Sequence, residues 1–222
     1  MPPAVPSLLA TNALVVAEGN GDKQFIENLC AVRGIGGFQI EEARGNAKFE
    51  THLKGLRDRT GFDNLRLLVV IGDNDDTPGD RFNHIRKSLK AAALPQPNDP
   101  FTPVKRDNLT VIIIMLPYTY AAASRTVAKG CLDTVLLPYI ENRHGAVLPC
   151  VETYHTCVGK ADRTKNQNDK FRLRCFIAAL FREDPNLALS WVTSPGKNLI
   201  DLNDQYFTEF AQYLMELQGF TA

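Results

Sequence analysis

The sequence predicts an α/β fold, an open and mostly parallel sheet flanked by helices, with an α-helical C-terminal extension. Three observations predict it. Ala13–Ala17 and Leu67–Ile71 are apolar at nearly every position, so both faces of each strand need cover, as in buried parallel strands. Between such runs lie segments whose apolar residues recur at three and four, the helical spacing, and this alternation builds parallel sheets through right-handed crossovers. Each of the two strands also ends in acids and a nearby glycine, Glu18-Gly19 and Gly72-Asp73-Asn74-Asp75-Asp76. The carboxyl ends of parallel strands are where such sheets bind ligands.

Taken in order, Met1 to Asn12 hold three prolines and little periodicity, and read as a loose lead-in. Strand one is Ala13 to Ala17. Helix one begins near Asn20 to Asp22, where an acid suits a helix N-terminus, and carries Phe25, Leu29 and Val32. Gly34, Gly36 and Gly37 end it. Phe38 to Glu42 is a short second strand, Phe49, Leu53 and Leu56 mark helix two, and Leu65 to Ile71 is strand three. Pro78 and Gly79 turn the chain into helix three, with Phe82, Ile85 and Leu89. Pro95 to Asp107, with no apolar pattern, reads as a long surface loop before the strongest strand, Val111 to Met115, which ends at Leu116-Pro117. A helix then begins over Gly130 to Leu137. Leu173, Phe176, Ile177 and Leu180 form the stripe of another, and Phe207, Phe210, Leu214 and Leu217 that of the last. The expected division is an α/β core over 13–117 and a mainly helical extension over 118–222 packed on it.

The 222 residues suffice for one substantial core with a small appendage. Twenty-five basic residues balance 25 acidic ones, so no global field recruits nucleic acid and any such binding needs a local basic patch. No stretch reaches the roughly 18 apolar residues of a membrane span, and the Pro-rich start lacks a basic n-region and cleavable apolar core. A soluble cytoplasmic protein is the expectation, without membrane contact. Five cysteines without a Cys-x-x-Cys fit reduced thiols. Cys150, His155 and Cys157 could be drawn as part of a zinc site, but a fourth ligand and paired spacing are missing. Gly19-Asn20-Gly21 lacks the third glycine of a dinucleotide fingerprint, Gln24 standing there, and there is no P-loop and no G-x-S-x-G.

Several carboxylates at one sheet end would repel one another, and burial would penalise each charge further. A divalent cation resolves that conflict, and an all-oxygen donor set suits Mg²⁺ or Mn²⁺. Each acid also has a plainer reading. Asp73 to Asp76 is ordinary turn composition, Asp22 suits a helix start, and Asp133 could be an acid favoured by the helix dipole. Glu18 closing a buried strand needs a partner, which a lysine could supply as well as a metal. Lys160 to Arg174 is the dense basic stretch, with six cations against Asp162 and Asp169. Lys160, Arg163, Lys165 and Lys170 are candidates for phosphate contact there, although such runs are often solvated faces.

The Glu-Gly after strand one, Gly45 after strand two and Asp-x-Asp after strand three resemble the TOPRIM domain of topoisomerases, DnaG-type primases and OLD-type nucleases, over roughly residues 13 to 117. Val16 to Phe25 as V-x-E-G-x-x-D-x-x-F, Ile71 to Asp76 as I-x-D-x-D-D and Gly130 to Asp133 as G-x-L-[DE] resemble an uncharacterised bacterial family of small TOPRIM-like proteins. The resemblance implies that Glu18 is a general acid/base or metal ligand and that Asp73 and Asp75 hold Mg²⁺. It implies Asp133 as a further acid, with Asp76 beside the pair. A lysine stabilising transition-state charge is likewise implied by the OLD-type likeness. The chain departs from these relatives in lacking a topoisomerase tyrosine domain, primase modules and an ATPase domain. The resulting expectation is Mg²⁺-dependent phosphoryl transfer on nucleic acid, most simply by a small nuclease. The alternative is a weakly catalytic metal- or nucleotide-binding module that works through a partner protein.

Overall fold

The computed structural model of the protein describes residues 8–117, 128–159, 163–180 and 199–221. Five strands form one sheet in the order β2-β1-β3-β5-β4: β1 Ala13–Ala17, β2 Phe38–Glu42, β3 Leu67–Asp73, β4 Val104–Arg106 and β5 Leu109–Leu116. The first four in that order run parallel, and β4 pairs antiparallel with β5. Sheet side chains alternate between two apolar layers because successive strand residues face opposite ways. Val15, Val69, Ile112 and Ile114 enter one, while Leu14, Val70, Val111 and Ile113 enter the other. All of these are fully buried, which is why their sequence reads as continuous runs rather than alternation.

On the first face lies α1 (Asn20–Arg33), together with α4 (Leu132–Arg143), α5 (Leu148–Cys157), α6 (Lys165–Leu180) and α7 (Thr208–Leu217). On the second lie α2 (Phe49–Leu56) and α3 (Pro78–Ala91). The C-terminal helices share one apolar cluster with the sheet. Phe25 of α1 stacks on Phe210 of α7 at 6.0 Å between ring centroids and meets Phe207 edge-on at the same separation. Arg172 of α6 pairs with Glu141 of α4 and Glu152 of α5, fastening the three helices together.

The structure departs from the sequence expectation in two places. The Pro95 to Asp107 segment is not loop throughout, because Val104–Arg106 adds the antiparallel edge strand β4. A three-residue strand is too short to show periodicity. The lead-in is anchored from Leu8 onward: Leu8 bridges Thr60, the Leu9 N–H donates to the Thr60 carbonyl at 2.9 Å, and the Leu9 side chain is buried. Residues 1–7 lie outside the described residues.

A charged knot sits under the second face. Glu41 of β2, 6 % exposed, accepts two hydrogen bonds from Arg59 at 2.8 and 2.7 Å, and His52 lies 3.3 Å away. Burial alone would raise the Glu41 carboxyl, but His52 and Arg59 outweigh it and hold the group down at about 2. Arg59→Met would leave Glu41 buried with its main partner gone. The expected cost is about 3–5 kcal/mol in urea denaturation at pH 7. Because the folded value lies below the ordinary 4.5, this contribution is complete above about 4.5 and fades as pH falls toward about 2. A wild-type and variant difference that stays constant from pH 6 to pH 2 would contradict this account.

Candidate functional site

The strand order reverses at β1, which has β2 on one side and β3 on the other. In doubly wound sheets the crevice outside the carboxyl ends of such strands is the ligand site. Glu18 follows β1 and Asp73 ends β3, so both acids stand at this crevice. The Asp73 N–H donates to Glu18 Oε2 at 3.1 Å, which ties the two strand ends together. Gly72 beside them makes room for α3. A Cβ on it would stand 2.6 Å from Ile85 Cδ1 and 3.7 Å from Glu18 Oε2.

Two helices begin here, and each has a carboxylate over its first turn. In α1 the Gly19 N–H donates to Asp22 Oδ2 at 3.0 Å. In α4 the Leu132 N–H donates to Asp73 Oδ1 at 3.2 Å. Free N–H groups and the positive end of the helix dipole favour negative charge at both points. The loop leading to α4 is fixed by a reciprocal pair of backbone bonds, Asp75 N–H to the Gly130 carbonyl at 2.6 Å and Gly130 N–H to the Asp75 carbonyl at 2.7 Å. Gly130 sits at φ +137°, and a Cβ on it would collide with the Thr134 side chain. Asn74, fully buried, donates from its amide to the Pro117 carbonyl at 3.2 Å and holds the turn against the end of β5.

Burial and mutual repulsion reshape the acids. Asp22 is pushed up to about 7, by burial first and then by the charges of Glu18 and Asp133, against the opposing Gly19 N–H. Burial raises Asp73 well above the carboxylate range, with Asp22 and Glu18 adding to it. Glu18 is also raised, by burial first, while the Asp73 N–H and Arg81 pull the other way. Asp133 is 4 % exposed, and its Oδ1 has no hydrogen-bond partner among the described residues. The Cys131 thiol lies 3.4 Å from Asp133 Oδ2, and burial together with Asp133 and Asp73 keeps it protonated.

Asp75 stands apart in forming an ion pair. Its backbone is left-handed, at φ +47°, and its carboxylate is held by Arg81 of α3 and Asn166 of α6. Asp75, Asp76, Arg81, His84 and Asn166 line a cleft of about 560 Å³ beside the acids. Among the described residues no group of three or more His, Cys, Asp or Glu side chains is gathered tightly enough to hold a metal ion as it stands.

The basic stretch divides. Lys170 faces Asp133, Asp73 and Asp75; burial alone would depress it, but Cys131 and these acids outweigh that and keep it raised and charged. It forms no ion pair among the described residues. Arg163 instead lies 4.0 Å over the Phe171 ring, and Lys165 pairs with Asp169 at 2.5 Å. Lys160 lies outside the described residues. His155 hydrogen-bonds Asn168 at 3.1 Å, while Cys150 and Cys157 are exposed.

Asp22 belongs to the acid cluster as well as to its helix start, and Arg81, Asn74 and Asn166 had no sequence signal of their own. One was within reach. Asn166, Lys170, Leu173 and Ile177 recur at four, three and four, so Lys170, itself exposed, stands in line with the buried Asn166, Leu173 and Ile177 of α6.

A carboxyl that holds its proton more tightly when folded stabilises the fold less as pH rises. For Asp22 that loss falls between the ordinary 3.8 and about 7. Asp22→Asn keeps an acceptor for Gly19 and removes the charge. The expected gain is on the order of 2 kcal/mol at pH 8 and nothing near pH 3.5, read by urea denaturation without divalent ions. Parallel stability profiles for the two proteins would show that Asp22 does not carry this strain.

No curated protein and no solved structure matches the chain. A family model described as Protein of unknown function (DUF3226) matches residues 12–219. That span takes in the whole sheet, the acids at its carboxyl end and Lys170, and the chain therefore belongs to the DUF3226 family.

Proposed function

We propose that the protein is a TOPRIM-like, Mg²⁺- or Mn²⁺-dependent phosphoryl-transfer protein acting on nucleic acid, most simply a small nuclease. The observation that carries this reading is the convergence of Glu18, Asp22, Asp73 and Asp133 at the β1/β3 switch point, where burial first and neighbouring carboxylates second raise Glu18, Asp22 and Asp73. Such crowding is costly unless a cation shares it. The residues fit a hard divalent ion: the donors are oxygens, and Asp133 Oδ1 is buried without a partner among the described residues.

Asp73, Asp75 and Glu18 are the residues that would hold the ion, with Asp133 and Asp76 close by. A bound divalent ion would polarise a phosphodiester and offset the charge that develops on its oxygens. The chain's own groups supply the rest. Lys170 holds a positive charge against the acids and can face a phosphate oxygen in the transition state. Glu18, raised above its ordinary value, is suited to hold or pass a proton at the reacting oxygen. The cleft lined by Arg81, His84 and Asn166 gives the substrate room beside these groups.

A second reading, a weakly catalytic metal- or nucleotide-binding module working through a partner protein, is favoured by one feature. Arg81 and Asn166 already occupy the Asp75 carboxylate, so a cation would have to displace them.

Calorimetric titration of Mg²⁺ and Mn²⁺ is expected to give saturable heat with the wild type and at least tenfold weaker binding with Asp73→Asn/Asp75→Asn. Equal heats from both proteins, or none, would overturn the metal site. Metal-dependent cleavage of single-stranded or duplex oligonucleotides separates the nuclease from the binding module. Lys170→Ala is expected to lower cleavage by roughly 10²-fold while metal affinity is kept or raised. Unchanged cleavage in that variant would remove Lys170 from the reaction.

A further inference from the structure

The cleft beside Asp75 does not end at α3. A second recess of about 410 Å³ runs along the same helix, lined by Asp80, Asn83, His84, Arg86, Lys87 and Lys90, and it shares Asp80 and His84 with the first. The two recesses therefore adjoin along α3. Helix α3 leaves the carboxyl end of the sheet at Pro78, so the route starts at the acids and descends the flank of the molecule.

Charge changes along that route. Asp80 is the one acid lining the second recess, against Arg86, Lys87, Lys90 and the His84 ring. Lys87 and Lys90 are exposed, and neither has an ion pair among the described residues. The buried Nε of Arg86 has no acceptor among the described residues, and Arg86 otherwise donates to Asn98 Oδ1 at 3.2 Å. His84, Lys87 and Lys90 follow at intervals of three, and so stay near one face of the helix. From Arg81 to Lys90 the rise is about 14 Å, which spans roughly two to four phosphates of one strand. The whole chain is electrically neutral, so this row is a local feature rather than a share of a general basic surface.

We propose that this face of α3 is a backbone track for one strand of nucleic acid, with Lys87 and Lys90 contacting phosphates and delivering the strand to the acid site. A single row of cations on one helix matches one sugar–phosphate backbone. Contacts of this kind position the strand without reading its sequence. The inference rests on the nucleic-acid reading above and adds where the substrate lies.

The test is binding of a fluorescein-labelled single-stranded DNA 20-mer to the full chain in EDTA, across a salt series, by anisotropy. Lys87→Ala/Lys90→Ala is expected to weaken binding roughly tenfold at 0.1 M salt and to flatten the slope of log K against log[salt] by about 1.4. Arg143→Ala/Arg174→Ala, a charge-matched pair on the opposite face of the sheet, is expected to change neither. Urea denaturation verifies that both variants fold. Wild-type affinity and slope in the Lys87/Lys90 variant would overturn the track, as would absence of binding by the wild type. Equal competition by poly-L-glutamate of matched charge would overturn it too, and would make the face an acidic-protein site. Failure of the nuclease reading looks different: the wild type binds the strand through Lys87 and Lys90 but leaves it uncut with Mg²⁺ or Mn²⁺.

Discussion

Carboxylates crowded at one end of a buried parallel sheet set the terms for the rest of this molecule. Glu18 and Asp73 stand on neighbouring strands, Asp22 and Asp133 on the first turns of α1 and α4, and burial makes the charges of Glu18, Asp22 and Asp73 harder to keep. Repulsion among them is offset by backbone N–H donors, by two helix N-termini and by the Lys170 ammonium. Tight backbone geometry at Gly130 follows from the same need, since it lets the Asp75 turn and the start of α4 approach closely. The apolar layers on both faces of the sheet hold those ends in place.

Stability is organised differently at the two faces. Beneath α2 a buried ion pair, Glu41 with Arg59, gives the acid a bidentate cation and keeps its carboxyl far below the ordinary range. At the carboxyl end of the sheet Glu18, Asp22 and Asp73 move the opposite way. One acid has its own guanidinium, whereas among the described residues Glu18, Asp22, Asp73 and Asp133 form no ion pair. That contrast separates an acid used for structure from acids available for chemistry, although composition alone treats them alike.

Much of this was legible in the sequence because buried parallel strands leave uninterrupted apolar runs. Ala13–Ala17 and Leu67–Ile71 emerged as strands, and their terminal acids met at the switch point because parallel strands bring like ends together. The three-residue β4 was illegible, since so short a strand carries no period. Asp22 was legible only as a helix-start acid. Its second role depends on where α1 sits relative to α4, a long-range fact that no local pattern encodes. Lys170 could be separated from the neighbouring cations only by phase: it shares the stripe of Leu173 and Ile177, whereas Lys165 points to Asp169.

The antiparallel strand β4 has an effect on behaviour in concentrated solution. An open sheet invites another chain to add to its outer strand, through the row of unpaired backbone groups found there. At this border the outermost strand is three residues long, and two of them, Lys105 and Arg106, are exposed cations. A second copy pairing there would gain few hydrogen bonds while bringing like charges together. The small strand that ends the sheet thus works as a stopper against fibre-like growth, protecting the long apolar β5 behind it.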